Sequence, residues 1–113
     1  MSNLQSSALF KIHTGKLNEF KALAREAMAI VKENEKDTLQ YDWFFSEDFS
    51  ECVVKEKFTD STAAFTHMGN VGELFGKVLQ ISDLSLEVYG DPSPELRKAL
   101  SDMKVKLFFP YTA

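Results

Sequence analysis

Apolar and polar residues follow regular spacings in the first third of the chain. In "SALFKIH", Ala8, Phe10 and Ile12 alternate with residues that point the other way, which is typical of a strand. From residue 16 to about residue 34, apolar residues recur every three or four positions. That spacing predicts a helix of about five turns with a charged outer face.

The middle of the chain predicts a hairpin followed by a second helix. "LQYDWFF" and "ECVVKEKF" are strand-like and flank the turn-rich "SEDFS", so they predict an antiparallel pair. The carboxylate of Asp60 can cap a helix that begins at Ser61 and runs towards Leu79.

Three glycines weaken this second helix: Gly69, Gly72 and Gly76. Each costs about 1 kcal/mol relative to alanine inside a helix. We therefore expect either a break near Gly69 or the close approach of a ligand or a neighbouring backbone.

The last third predicts one more strand of the core and a short extension. "LSLEVY" alternates as a strand, Ser93 and Pro94 are typical of a helix start, and "KVKLFFPY" is strand-like. The order β-α-β-β-α-β predicts an α+β, ferredoxin-like fold with an antiparallel sheet, followed by a short helix and a strand. We expect a single domain over residues 1–113, with its core at about 8–90 and an extension over 91–113.

Aromatic residues lie on both faces of the predicted sheet. Tyr41, Trp43 and Phe45 share one face, whereas Phe44 points to the other. Because a second apolar face needs a cover, we expect a homodimer that packs sheet to sheet.

Composition excludes several classes of function. A net charge of -4 and the absence of a basic patch argue against nucleic-acid binding. The single cysteine, Cys52, favours a reducing compartment and is interpreted as a buried, inert thiol. We expect neither a signal peptide nor a membrane span, and hence a cytoplasmic protein. Two histidines and one cysteine show no ligand spacing, so no metal is expected, and no nucleotide-binding loop follows a strand.

Over about residues 8 to 90, the chain resembles the antibiotic biosynthesis monooxygenase superfamily of dimeric α/β barrels. The resemblance rests on a strand ending in Gly15 before a helix with Phe20, on "TLQYDWF" and on "EKFTDSTAAFTHM". The last motif supplies a glutamate, an aromatic residue, an aspartate and a histidine: Glu56, Phe58, Asp60 and His67.

The resemblance implies a pocket between sheet and helices in each subunit. Some members oxidise quinols or phenols with molecular oxygen and without a metal or flavin cofactor. Another branch degrades heme and is expected to carry an asparagine, a tryptophan and a histidine where this chain has Ala8, Phe58 and Lys77. Heme degradation is therefore not expected.

His67 and Glu56 are the candidates for catalysis. His67 lies about 60° from the centre of the apolar stripe of its helix, where an imidazole can meet both a cavity and a polar partner. It can act as a general base, or it can be a boundary histidine bonded to backbone or solvent. Glu56 shares a strand face with apolar residues, so it can orient His67 or bind a substrate hydroxyl; it can also be a partner in a salt bridge at a sheet edge.

Five residues are candidates for contact with substrate: Tyr41, Trp43, Phe58, Phe10 and Met68. Packing in the core or in a dimer interface is the alternative role of Tyr41 and Trp43. Asp42 points to the opposite face and His13 is expected to be exposed. Two functions remain open at this point: cofactor-independent monooxygenation of a small aromatic quinol or phenol, and non-catalytic small-molecule binding by a stress-associated dimer.

Overall fold

The computed structural model describes residues 3–112 of the chain. Five strands, three α-helices and one 3-10 turn follow one another: β1 (Leu4–Ile12), α1 (Leu17–Asn34), β2 (Thr38–Phe45), β3 (Glu51–Phe58), α2 (Ser61–Gln80), β4 (Ser82–Tyr89), α3 (Pro94–Leu100), a 3-10 turn (Ser101–Met103) and β5 (Lys106–Phe108). The predicted order of elements is confirmed. The first strand begins four residues before Ala8, and the last is shorter than the apolar run "KVKLFFPY".

The strands form one sheet in the order β2-β3-β1-β4-β5. β1 pairs antiparallel with both β3 and β4, which is the ferredoxin-like arrangement. β5 pairs parallel with β4, so the five-stranded sheet is mixed, whereas we expected an antiparallel sheet. Parallel pairing requires a crossover connection, and α3 provides it. Over residues 3–112 the sheet is open, so a barrel would have to come from more than this one chain.

The two long helices cover one face of this sheet. In α1, the buried side chains are spaced three or four apart and form one stripe: Phe20, Leu23, Ala24, Ala27 and Val31. α2 starts as predicted, because the Ala63 N–H donates a 2.9 Å hydrogen bond to the Asp60 carboxylate.

The expected break in α2 is wrong, because the helix is continuous from Ser61 to Gln80. The expected close approach of a neighbouring backbone is also wrong. A Cβ added at Gly69, Gly72 or Gly76 would meet nothing within 4 Å in the part of the chain that the structure describes. The helix therefore tolerates three glycines because its buried face still packs on the sheet.

The opposite face of the sheet is only partly apolar. Phe44, Val53 and Leu9 lie side by side on β2, β3 and β1, and Phe44 is exposed. The next row across the sheet is polar and of mixed charge: Asp42, Lys55, Ser7, Glu87 and Lys106. No helix among residues 3–112 is long and apolar enough to cross a membrane.

Candidate functional site

Three polar side chains meet in one row across the covered face of the sheet. Glu56 on β3 lies opposite Tyr41 on β2 and opposite Ser6 on β1. Because side chains on adjacent strands in register point the same way, all three face the helices. His67, on the buried side of α2, lies above this row.

Both ring nitrogens of His67 contact carboxylates. Nε2 lies 3.1 Å from Oε2 of Glu56, and Nδ1 lies 3.0 Å and 3.2 Å from the two carboxylate oxygens of Glu35. A neutral imidazole has only one N–H, whereas the imidazolium donates from both nitrogens and satisfies both contacts. Burial lowers the pKa of His67, but the hydrogen bonds and negative charges of Glu56 and Glu35 outweigh it, so the pKa is raised above its usual value.

Glu35 contacts His67 at Nδ1, the ring nitrogen that does not face Glu56. It directly follows α1, where the backbone becomes extended, and its side chain is only 2% exposed. The Thr38 hydroxyl and the Asn70 amide also donate to its carboxylate, the latter at 3.1 Å. Three side chains therefore donate hydrogen bonds to Glu35, which suits a carboxylate.

Glu56 is the more accessible of the two carboxylates. Its side chain is 16% exposed, and one oxygen accepts a hydrogen bond from the Ser6 hydroxyl while the other faces His67. The arrangement Glu35–His67–Glu56 places one cation between two carboxylates, and we call it the buried triad. Of its members, His67 and Glu56 line the cavity described next.

A cavity of about 240 Å³ lies between the sheet and the helices. For comparison, an engineered cavity of about 150 Å³ binds benzene. All seven residues predicted for catalysis or substrate contact line this cavity: His67, Glu56, Tyr41, Trp43, Phe58, Phe10 and Met68. Their roles in a reaction stay predictions.

Aromatic rings enclose His67 on two sides. The ring centroids of Tyr41 and Phe58 lie 5.1 Å and 5.2 Å from that of His67. Burial, and after it the negative charge of Glu56, raises the pKa of Tyr41 well above its usual value, so this phenol keeps its proton at neutral pH.

Trp43 stacks on Phe10 in the same cavity wall, with ring centroids 6.4 Å apart and planes within 3° of parallel. Its indole Nε1–H is buried and finds no hydrogen-bond partner among residues 3–112. A bound molecule with an acceptor oxygen at this point would satisfy the donor.

The C-terminal extension forms one end of the cavity. Leu96 and Leu100 of α3 and Met103 of the 3-10 turn line it. The strand β5 of the extension also occupies the sheet edge next to β4. The contribution of the extension to the cavity wall was not predicted.

Two residues of the site escaped the sequence analysis, although each carried a signal. Ser6 is two positions before Ala8 and four before Phe10, so the alternation of the strand places this polar side chain on the buried face. Glu35 follows Val31 by four positions and so continues the buried stripe of α1. A charged residue at such a position indicates a buried partner.

The remaining candidates lie outside the site. Cys52 is fully buried as predicted, it does not line the cavity, and burial raises the pKa of its thiol to about 11. His13 is exposed, as expected, and its Nε2 lies 3.1 Å from a carboxylate oxygen of Asp83. Within residues 3–112, no cluster of three or more histidine, cysteine, aspartate and glutamate side chains could hold a metal ion.

Comparison with solved structures shows that this fold is shared with proteins named putative antibiotic biosynthesis monooxygenases. The crystal structure of MupZ from Pseudomonas fluorescens superposes with a TM-score of 0.87 at 22% identity, over 100% of this chain and 93% of that one. A putative antibiotic biosynthesis monooxygenase from Caulobacter crescentus gives 0.70 at 21% identity, over 76% and 86%. One from Bacteroides thetaiotaomicron gives 0.70 at 17% identity, over 75% and 85%.

The predicted resemblance is therefore confirmed at the level of the fold. No protein-family model matches the chain, and no curated protein matches it significantly. At these identities, the superpositions establish the fold alone.

Proposed function

We propose that the protein is an enzyme that removes a proton from a hydroxyl group of a small aromatic molecule bound in the cavity. The observation that carries this proposal is the buried triad, whose Glu56 end faces a largely apolar cavity. Acid–base groups that converge beside a poorly hydrated cavity are typical of active sites and are costly to bury without a function.

Within the triad we assign the proton-accepting role to Glu56. His67 donates from both nitrogens in its protonated form, so it has no free lone pair for a substrate proton. Its positive charge would balance the negative charge left on the substrate oxygen, and Glu35 would keep it in place. Our sequence-based prediction gave the role of base to His67 itself, and replacement of Glu56 by glutamine distinguishes the two assignments.

The reaction we propose is monooxygenation without a metal or flavin. A phenolate is electron-rich and can itself reduce molecular oxygen. One oxygen atom is added at a ring carbon that carries hydrogen, the second leaves as water, and the phenol becomes a quinone, so that the substrate supplies all four electrons. The fold shared with proteins named as monooxygenases and the aromatic lining of the cavity support this choice. The fold alone does not establish an activity.

Oxygen uptake by metal-free protein tests the proposal. We expect uptake with at least one member of a panel of naphthols, dihydroxynaphthalenes and benzoquinols, with one oxygen consumed per quinone formed and no hydrogen peroxide released. His67→Ala should abolish it, whereas Thr66→Ala, an exposed neighbour on the same helix, should retain it. Both variants are compared for folding by circular dichroism.

Other outcomes point elsewhere. Release of one hydrogen peroxide per turnover would contradict monooxygenation and indicate a two-electron oxidase. No uptake with any compound, together with binding of the same compounds, would favour the second function considered above, a non-catalytic binding protein. A cavity lined mainly by apolar residues is compatible with both an enzyme and a binding protein, so the measurement of oxygen uptake distinguishes the two functions.

We also propose that two copies pack sheet to sheet in the cytoplasm. The apolar row of Phe44, Val53 and Leu9 on the uncovered face supports such contact. Light scattering is expected to give twice the mass of the chain, and Phe44→Asp should lower it to that of one chain. A single-chain mass for the unaltered protein would contradict the dimer.

A further inference from the structure

The cavity has a polar band with apolar walls on both sides of it. The band is the row of Tyr41, Glu56 and Ser6 across the sheet, together with His67 above it. We call the space on one side of the band the α3 arm. Its walls include residues of α3 and of the elements packed against it: Leu4, Phe58, Met68, Leu96 and Leu100. We call the space on the other side of the band the core arm. Its walls are residues of the main hydrophobic core: Ala8, Trp43, Val54, Phe10 and Phe75.

The arms differ in length, as the positions along β1 show. Leu4, Ser6, Ala8 and Phe10 all line the cavity. At about 3.3 Å per residue, Ser6 lies about 7 Å from Leu4 and about 13 Å from Phe10. Measured along β1, the polar band therefore crosses the cavity about one third of the way from Leu4 to Phe10 and not at an end.

We propose that the site binds elongated, predominantly apolar molecules whose reacting hydroxyl is internal, with a shorter apolar segment on one side and a longer one on the other. This rests on the proposed function, since it takes Glu56 as the group that meets the hydroxyl. A molecule with a terminal hydroxyl would leave the α3 arm unfilled or would bury its hydroxyl among apolar side chains, and both cost affinity. For an aromatic substrate, the hydroxyl-bearing ring lies at the band and its substituents extend into the arms.

Two isomeric alcohols test this inference without any reaction. In 3-octanol, two carbons lie on one side of the hydroxyl-bearing carbon and five on the other, which matches the arms; 1-octanol has the same formula and a terminal hydroxyl. Trp43 is the only tryptophan in the sequence and it lines the core arm, so its single indole N–H resonance reports binding. We expect 3-octanol to bind at least about threefold more tightly, because its two-carbon segment contacts the walls of the α3 arm, which 1-octanol leaves empty when its hydroxyl lies at the polar band.

Filling one arm provides a second test. Leu100→Phe narrows the α3 arm and should remove the preference for 3-octanol, mainly by weakening its binding. Leu79→Phe is the matched control, because Leu79 is exposed on α2 and does not line the cavity. It should leave the preference unchanged.

The inference is overturned if 1-octanol binds as tightly as 3-octanol, if neither isomer binds, or if folded Leu100→Phe keeps the preference. Its failure can be distinguished from failure of the proposed function. A preference for 3-octanol without oxygen uptake on any phenol would keep the inference and reject the oxidation. Oxygen uptake with a phenol, without a preference for 3-octanol, would keep the proposed oxidation and reject the inference.

Discussion

Replacing Glu56 by glutamine is expected to slow oxygen uptake about 100- to 10,000-fold, the usual contribution of a general base. The amide has the size of the carboxyl group. Its oxygen can still accept a hydrogen bond from His67 and its NH2 group can donate to the Ser6 hydroxyl oxygen, so the fold should be preserved. It cannot take up a proton at neutral pH. The loss should therefore appear in kcat at saturating substrate.

The matched control is Glu51→Gln, on the same strand but outside the cavity wall. We expect it to retain the rate. Binding of 3-octanol to Glu56→Gln, followed at the Trp43 indole resonance, should remain within a few-fold of that of the unaltered protein. If Glu56→Gln retained more than a tenth of the rate, another group would accept the proton, and His67 would again be the first candidate.

Replacing Glu35 by glutamine is expected to lower the free energy of unfolding by about 3 to 5 kcal/mol at pH 6, the usual cost of breaking a buried ion pair. The reason is geometric. His67, Thr38 and Asn70 all donate to the two oxygens of Glu35, and the amide would place a further donor among them. Urea unfolding measures the change. Glu33→Gln, an exposed glutamate in the last turn of α1, should change it by less than about 0.5 kcal/mol.

The size of this loss should depend on pH. The pKa of His67 is raised in the folded protein, so its contribution to stability is complete below the unfolded value of about 6.5 and is lost as the pH rises through the folded pKa. Because Glu35 contributes to that raised pKa, the difference between the unaltered protein and Glu35→Gln should be largest near pH 6 and should shrink towards pH 9. An equal difference at both pH values would contradict an ionised His67.

The elements of the fold could be predicted because their signals are local. The alternation of Ala8, Phe10 and Ile12 and the capping residues Asp60 and Ser93 act within a few positions along the chain. The parallel pairing of β5 could not be predicted in this way, since the spacing of a strand does not reveal the direction of its neighbour. The glycines of α2 do not break the helix, because tertiary packing outweighs local propensity.

Two polar residues of the site, His67 and Glu56, could also be predicted from local signals. His67 and Glu56 stand out as polar groups beside apolar stripes of their own elements. Glu35 lies 32 positions before His67, and only the packing of α1 on α2 brings the two together. The pairing of Ser6 with Glu56 similarly depends on the register of β1 and β3, which a single sequence does not reveal.

The placement of α3 has a consequence for how proteins of this shape can diverge. One end of the cavity is formed by a contiguous stretch, residues 94–103, attached to the sheet edge through the short strand β5. The buried triad lies on other elements, namely β3, α2 and the end of α1. Insertions, deletions or exchanges in this C-terminal stretch can thus alter which molecules fit while the acid–base groups stay in place, which makes the stretch a natural target for directed evolution of new substrate ranges.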